Sequence, residues 1–443
     1  MQDHHSNLTK SLTKNTQVIQ EKLNNTAEFT TRNIQIEGHN NKIHYGVLIY
    51  LDGIVNTQII RESIIQPLAK AKLIPKEMFI KTLKARTVEK SFRQRSPSGP
   101  QIGLNEMFKT NINMIRSYIK SPELVVEMKK IGRYVQEDVA IVYLKSKVDQ
   151  LCLEEVREKI DSVDVEYAIE GRIIDDAIEG YRPTLFHLTK TEEMPDVIVS
   201  ALYEGRIAIF VDGTPEATVV PALFVQFMQV PNSYYEKTGR FANKPLFFIS
   251  FFLTFLLPGV YIALQKYHTD WFPKKAVKIF FEDKVGFTSF WDMIFLIFIL
   301  YLLSISAFRI SGDMIIVASL LGTTIISSTA VQSKIIHPMS IVVVGTAILI
   351  SLMFMFGGMG APLLPLRIIF LIIGDWFGFT GMGIGLVILI IYMSRLRSLG
   401  VPYLTPIIPF HPKEFKDVIF RGKLKNLLNS VHLYPHDKKQ KKQ

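Results

Sequence analysis

Residues 203–229 read YEGRIAIFVDGTPEATVVPALFVQFMQ, and this stretch decides how the chain divides. Two runs of β-branched and apolar residues flank Asp212, Gly213, Thr214 and Pro215. Asp bonds its own backbone, Gly accepts a positive φ and Pro presets φ, so these four residues predict a turn between two paired strands. Because a long apolar run follows from residue 244, a hydrogen-bonded hairpin is expected directly before an apolar, helical part of the chain.

Charge and apolar character are segregated along the 443 residues. The formal net charge is +11 and 21% of residues are charged, yet the mean hydropathy is +0.21. Residues 1–244 carry most of the charge, whereas 245–394 are dominated by Phe, Leu, Ile, Val and Met. Lys and Arg crowd the flanks at 237–244 and 395–397, which favours membrane lipid over nucleic acid as the partner of the basic excess.

The first half predicts an α+β soluble region, divided into two subdomains. Residues 1–40 are rich in Asn, Thr, Gln and Lys and predict a mobile polar tail. Residues 43–100 are predicted as a first subdomain that ends in the linker RQRSPSGP. Residues 101–235 alternate helix and strand patterns, which predicts a second α/β subdomain.

The second half predicts an α-helical membrane domain over 245–394, with five to six membrane helices. The apolar runs lie at 244–265, 293–308, 314–332, 341–356, 366–374 and 377–393. About 20 apolar residues cross a bilayer, so the shorter runs need tilt or packing partners. An even number of crossings would place the soluble region and the basic C-terminal tail, 395–443, on the cytoplasmic side.

Hydroxyl side chains recur along the third apolar run. Ser319, Thr323 and Ser327 are spaced four residues apart, with Thr324 and Ser328 beside them. Hydroxyls replace part of the water shell of an ion in a pore, and they also join packed helices. The stripe therefore predicts either a pore wall or a helix contact.

Two ionisable residues and two glycines mark the last runs. Arg367 and Asp375 lie in apolar sequence, where a charge is a functional hypothesis by default and an interfacial anchor beside Trp376 is the alternative. Gly381 and Gly385 are four residues apart, which favours close helix packing over a phosphate-binding loop.

Sequence patterns of catalysis and metal binding are weak throughout. The histidines show no metal-ligand spacing, and Walker lysine and nucleophile-elbow patterns are missing. A single cysteine, Cys152, excludes an internal disulfide and a Cys-based cluster. We therefore expect no enzyme, no cofactor and no metal.

Three stretches together resemble the A subunits of GerA-type spore germination receptors. They are EGRIAIFVDGTP with VVPALFVQF (204–227), the run that ends PGVYIAL (258–264), and SLGVPYLTP (398–406). The resemblance covers roughly residues 43–410. The first and last stretches are specific, whereas the apolar middle is not.

The resemblance implies a subunit of a nutrient-responsive receptor in the inner membrane of a bacterial spore. Its partners would be a transporter-like B subunit and a lipoprotein C subunit, and the A subunit would form a homo-oligomeric ion channel that opens to start germination. The hairpin at Asp212–Pro215 would couple the soluble region to the gate. The alternative is a non-conducting scaffold subunit, or a SpoVA-associated paralogue, that assembles germination proteins; the lack of Glu in 293–308 favours it.

Overall fold

The computed structural model describes residues 9, 11–37, 43–51, 60–66, 102–134, 136–166, 171–180, 184–228, 239–281, 288–307, 332, 336–354, 358–411 and 434. Helices and strands are numbered in chain order among these residues. Residues 102–228 contain a five-stranded sheet and are called the sheet domain. Residues 239–395 contain long apolar helices and are called the helical region.

A helix and a two-stranded ribbon precede the sheet domain. Helix α1 spans Leu12–Lys22, and strand β1 (Phe29–Glu37) pairs antiparallel with β2 (Ile43–Leu51). A buried ion pair between Glu28 and Arg116 fixes the start of the ribbon to the sheet domain. The first described stretch of the chain is therefore folded against the rest.

Within residues 11–37, this arrangement differs from the mobile tail predicted over 1–40. That prediction followed from a low apolar content, but the strand Phe29–Glu37 takes its apolar partner from beyond residue 42. No local pattern within the tail reveals such a pairing. Residues 67–100 of the predicted first subdomain lie outside the described residues.

A five-stranded antiparallel sheet forms the centre of the sheet domain. Its strands are β3 (Leu124–Ile131), β4 (Glu137–Leu144), β5 (Lys190–Glu192), β6 (Ile207–Val211) and β7 (Ala217–Val220). Their spatial order is β3-β4-β6-β7-β5, and each pairing is antiparallel. Strands β6 and β7 are the predicted hairpin.

Helices cover both faces of this sheet. Helices α2 (Phe108–Tyr118) and α5 (Pro195–Tyr203) pack on one face, and α3 (Gln150–Asp161) and α4 (Arg172–Glu179) pack on the other. Strands β6 and β7 are buried along their whole length, which explains their continuous apolar runs. The predicted α+β class of the N-terminal part is confirmed.

The helical region follows a short helix that closes the sheet domain. The bounds are α6 (Phe224–Phe227), α7 (Gly239–Tyr267), α8 (Lys274–Phe280), α9 (Ser289–Ala307), α10 (Pro338–Ser351) and α11 (Leu363–Arg395). By length and composition, Pro245–Tyr267 and Leu363–Arg395 are apolar enough to cross a membrane. Helices α9 and α10 are shorter and also apolar.

Helix α11 reverses its direction at Gly378. This residue has φ 58° and ψ −150°, outside the helical range. A Cβ on Gly385 would lie 3.3 Å from the ring of Phe370, whereas a straight helix would separate the two residues by about 22 Å. The helix is therefore a hairpin of two legs, which correspond to the apolar runs at 366–374 and 377–393.

One end of the helical region, the near end, contacts the sheet domain. Phe251 of α7 packs edge-on against Phe224, and Tyr392 in the second leg of α11 accepts a hydrogen bond from the Leu185 amide at 3.0 Å. After α11, strands β8 (Arg397–Ser398) and β9 (Val401–Pro402) form a small hairpin at this end.

The opposite, far end is marked by an ion pair. Lys266 of α7 lies 3.0 Å from Asp375 in the first leg of α11. Helices α9 and α10 both begin at this end, since Asp292 near the start of α9 accepts a hydrogen bond from the amide of His337, the N-cap of α10.

Candidate coupling site between the sheet domain and the helices

The turn of the β6–β7 hairpin points away from the helices. Gly213 has φ 81°, and its amide donates to the Glu106 carbonyl at 2.9 Å. The Asp212 carboxylate accepts from the Phe108 amide at 3.3 Å, at the start of α2. The predicted gate-coupling residues Asp212–Pro215 thus bond within the sheet domain, and their role in coupling stays a prediction.

The opposite end of the hairpin reaches the helices. Phe224 follows β7 closely, and its ring centroid lies 5.3 Å from that of Phe251 in α7. Its amide donates to the Tyr403 carbonyl at 2.9 Å. The buried Arg206 donates to the side chain of Gln226 at 3.0 Å, which holds α6 on the sheet domain. One short helix therefore joins the sheet domain, α7 and the chain after α11.

The chain after α11 returns to the sheet domain, and we call residues 396–406 the return segment. The Ser398 hydroxyl donates to the Leu188 carbonyl at 2.6 Å and accepts from the Ala222 amide at 2.9 Å. These two partners belong to different parts of the sheet domain, before β5 and after β7. The buried side chain of Ser398 therefore connects the end of the helical region to the chain before β5 and to the chain after β7.

The tip of the return segment completes the core of the sheet domain. Leu399 and Gly400 have φ 46° and 69°, which makes the tight turn between β8 and β9. Leu399 and Val401 are buried in the same cluster as Cys152 and Val156 of α3. The sequence singled out this motif by resemblance, but it gave no indication that the motif inserts into the sheet domain.

Tyr403 stands at the centre of an aromatic cluster between the two parts. Its side chain is fully buried, and its ring lies 6.0 Å from Phe186, 6.2 Å from Phe224 and 6.3 Å from Phe227. Burial raises the pKa of its phenol well above the usual value. The side chain is therefore neutral and packs as a large apolar ring.

Glu179 organises the loop that faces the near end. Its carboxylate accepts from the Leu188 amide at 2.7 Å and the Thr189 amide at 3.2 Å. Burial would raise the pKa of Glu179, but its hydrogen bonds, first that with His187, outweigh burial and lower it. The same pairing raises the pKa of His187, whose ring lies against Gly358 just before α11.

Arg367 is buried among three helices and repairs an interruption in α7. Pro258 has no N–H, so the Thr254 carbonyl lacks its usual helical donor. Arg367 Nε donates to that carbonyl at 2.9 Å, and Nη2 donates to the Ala347 carbonyl of α10 at 3.2 Å. Only 4% of Arg367 is exposed, so its guanidinium lies among the helices, and its functional role stays a prediction.

Asp375 occupies a different environment and does not pair with Arg367. It forms the ion pair with Lys266, and its carbonyl accepts from the Tyr267 hydroxyl at 2.9 Å. The neighbouring Trp376 is 66% exposed. The role of Asp375, as an interfacial anchor or as a functional charge, stays a prediction.

The closest helix crossing involves glycines that the sequence did not single out. A Cβ on Gly259 would lie 2.4 Å from the Phe370 carbonyl oxygen, and one on Gly374 would lie 2.5 Å from the Gly259 carbonyl oxygen. Gly381 and Gly385 instead face side chains of the first leg of α11. Their role in helix packing remains a prediction.

The hydroxyl stripe lies outside the described residues. Its members are Ser319, Thr323, Thr324, Ser327 and Ser328. The proposed pore wall or helix contact therefore stays a prediction.

The protein thus has two parts, an antiparallel α+β domain and a set of apolar helices. Helix α6 and the return segment join them. A profile of the Bacillus/Clostridium GerA spore germination protein family matches residues 76–431. The chain belongs to this family, and the resemblance noted in its sequence is confirmed.

Two individual proteins with similar sequences are spore germination proteins. The chain is 29% identical to spore germination protein KA of Bacillus subtilis over 94% of its own length and 85% of that protein. It is 27% identical to spore germination protein B1 of the same organism, over 84% of its length and 87% of that protein.

A solved structure also matches part of the chain. It is the N-terminal domain of the A subunit of the Bacillus megaterium spore germinant receptor GerK3, with 28% identity and a TM-score of 0.37. The match covers 49% of this chain and 98% of that domain.

Proposed function

We propose that this chain is the A-type membrane subunit of a nutrient-responsive spore germination receptor and forms an oligomeric ion channel. Family membership supports the receptor part of this proposal. The observation that carries the channel part is the return segment, because Ser398 bonds the end of the last helix to two parts of the sheet domain, before β5 and after β7. A displacement of the sheet domain would therefore move α11 directly.

The directions of the helices support six passages through a membrane. Helix α7 and the first leg of α11 run from the near to the far end, whereas α9, α10 and the second leg of α11 run back. Since α9 and α10 both begin at the far end, the proposal requires one further passage between them in sequence. The third apolar run, 314–332, supplies that passage in the proposal.

Six passages would leave the sheet domain and the C-terminal tail on the same side. The basic flanks at 237–244 and 395–397 favour the cytoplasmic side. The membrane would be the inner membrane of the spore. The partners proposed on resemblance are a transporter-like B subunit, a lipoprotein C subunit, membrane lipid and further copies of the chain.

Conduction is tested by ion efflux from proteoliposomes that contain the full-length protein. If the third run lines the path, Ser327→Asp should change efflux at least severalfold, and Thr323→Ala should change it less. If that run is only a packing seam, both variants should reduce the size of the crosslinked oligomer and leave efflux unchanged.

Coupling is tested with a pair of matched serines. Ser398→Ala removes two hydrogen bonds to the sheet domain, whereas Ser394→Ala removes one bond to its own helix at Ile391. We expect Ser398→Ala to change germinant-dependent opening and Ser394→Ala to leave it unchanged. Equal responses of the two variants would contradict coupling through the return segment.

A non-conducting scaffold or SpoVA-associated paralogue is the second candidate. Three apolar side chains of α9 are exposed, namely Phe295, Phe298 and Leu302. The described part of this helix therefore presents an apolar surface to lipid or to a partner protein. Such a surface suits assembly. Unchanged efflux together with a weakened oligomer in the test above would favour this function.

A further inference from the structure

A polar cluster lies inside the apolar far end, away from the coupling site. Asp292 of α9 is 2% exposed, and Ser340 of α10 is fully buried. His337, the N-cap of α10, and Tyr261 of α7 complete the cluster. Apolar side chains surround it, among them Met293, Leu296, Ile297, Ile336, Val343, Val344 and Leu371.

His337 connects the members of this cluster. Its amide donates to Asp292 Oδ2 at 3.1 Å, and its Nδ1 accepts from the Met339 amide at 3.1 Å. The Tyr261 hydroxyl lies 3.5 Å from the same nitrogen and donates to the Phe280 carbonyl at 2.7 Å. Three helices and the end of α8 therefore contribute to one buried polar site.

Two oxygens of the cluster lack a hydrogen-bond partner among the described residues. They are Asp292 Oδ1 and Ser340 Oγ. A buried carboxylate oxygen without a donor is costly, and a buried carboxylate without a counter-charge more so. Lys266 is already paired with Asp375, so the basic group that lies within the cluster itself is the imidazole of His337. With a neutral imidazole, the Asp292 carboxylate has no counter-charge among the members of the cluster and can take up one positive charge.

The ligand chemistry follows from these groups. A carboxylate excludes an anion, and one carboxylate with hydroxyls is too little charge and too few oxygens for a typical Ca²⁺ site. One negative charge with neutral oxygens fits one positive charge. Hydroxyls and carbonyls are the groups that replace the water shell of such an ion.

We propose that Asp292, Ser340, Tyr261 and His337 form a binding site for a monovalent cation, either an alkali metal ion or a proton. Asp292 supplies the charge, and the hydroxyls of Ser340 and Tyr261 supply neutral oxygens. The site goes beyond the proposed channel function, because cation binding is measurable whether or not the protein conducts. An intramembrane carboxyl group is a common element of ion and proton paths.

The alternative is that Asp292 only caps α10. Asp292→Asn separates the two, since the amide oxygen of Asn can still accept from the His337 amide while the charge is lost. Ser340→Ala removes the second unpartnered oxygen. Ser351→Ala is the matched control on the same helix, because the Ser351 hydroxyl bonds its own helix at Ile348.

The experiment measures thermal unfolding of the full-length protein in detergent, in sodium, potassium or N-methylglucamine chloride of equal ionic strength, at pH 6, 7 and 8. An alkali-ion site predicts a saturable rise of the midpoint with sodium or potassium, as expected for a ligand that binds only the native state. A proton site predicts a rise as the pH falls, without an effect of the metal ion.

Asp292→Asn should abolish whichever dependence the wild type shows. Ser340→Ala should raise the half-saturating concentration about tenfold, or reduce the pH slope, and Ser351→Ala should change neither. His337 is present in both proteins, so the difference between wild type and Asp292→Asn isolates the carboxyl group. Other ionisable groups at this end, among them Tyr261, His268, Lys278 and the Lys266–Asp375 pair, are the same in each variant.

Cation and pH dependence that persists unchanged in Asp292→Asn would overturn the proposal, as would a wild type that responds to neither. If Asp292→Asn fails to fold, calorimetric titration of wild type and Ser340→Ala with sodium and potassium chloride decides the alkali-ion arm, and their pH slopes decide the proton arm. If wild type and Ser340→Ala give identical results, the proposal is wrong and Asp292 serves only to cap α10.

Discussion

Two helices of the molecule are interrupted, and the outcomes differ. In α7, Pro258 removes a hydrogen bond, yet the helix continues, and Arg367 donates to the freed Thr254 carbonyl. In α11, Gly378 adopts φ 58° and the chain turns back. In α7, the carbonyl that lacks its N–H donor accepts a hydrogen bond from an arginine of the neighbouring helix, and the helix axis continues. In α11, the positive φ of one glycine turns the helix back. The direction of the chain after an interruption therefore depends on whether a donor is missing or the backbone angle has changed.

The two interrupted helices meet at a glycine crossing, and breaking it should have the largest effect. Gly374→Ala places a Cβ 2.5 Å from the Gly259 carbonyl oxygen, a backbone atom that cannot rotate away. We expect a loss of about 3 kcal/mol or more in the free energy of unfolding, similar to overpacking in a core. Chemical unfolding in detergent measures it. Gly383→Ala is the control, since nothing lies within 4 Å of its Cβ position.

The next test concerns the reversal itself. Gly378→Ala forces an L-residue to φ 58° and brings a Cβ to 3.0 Å from the Tyr267 ring. We expect a cost of about 1–3 kcal/mol, as for other strained backbone positions. Crosslinking between cysteines introduced at positions 370 and 385 reports whether the two legs stay together. A variant of wild-type stability would show that the bend does not depend on glycine.

The repair of α7 is tested by a double-mutant cycle. Arg367→Met leaves the Thr254 carbonyl without its donor, which should cost about 1–2 kcal/mol. Pro258→Ala restores the N–H and should make the arginine partly redundant. We therefore expect the two changes to couple by about 1 kcal/mol. Strictly additive free energies of unfolding would mean that Arg367 does not act through the proline interruption.

The smallest expected effect is a pH dependence in the sheet domain, whose described helices are uninterrupted. Burial raises the pKa of Asp175 to about 6, from an ordinary value of 3.8. The native state therefore binds more protons than the unfolded state between these values, so stability falls as the pH rises from about 4 to 6. Asp175→Asn should remove this slope while the amide still accepts from Thr218 at 2.9 Å in the wild-type geometry. If Asp175→Asn keeps the wild-type pH dependence of stability, a group other than Asp175 causes that dependence.

Local patterns predicted much of the fold but little of the site. The β6–β7 hairpin and α2 follow from turn chemistry and helical periodicity, both of which depend on neighbours in sequence. The pairing of β1 with β2, the docking of Ser398 and the crossing of Gly259 with Gly374 join residues that are distant in sequence. Among many glycines in apolar runs, spacing alone favoured Gly381 and Gly385 over this pair.

The insertion of the return segment also fixes an order of events in biosynthesis. Residues 102–228 leave the ribosome first, but Leu399 and Val401, which fill part of their core, are translated only after the helices. The core of the nascent sheet domain therefore stays incomplete until the residues after the last helix have been translated. A prematurely terminated chain would expose that unfilled core to proteases.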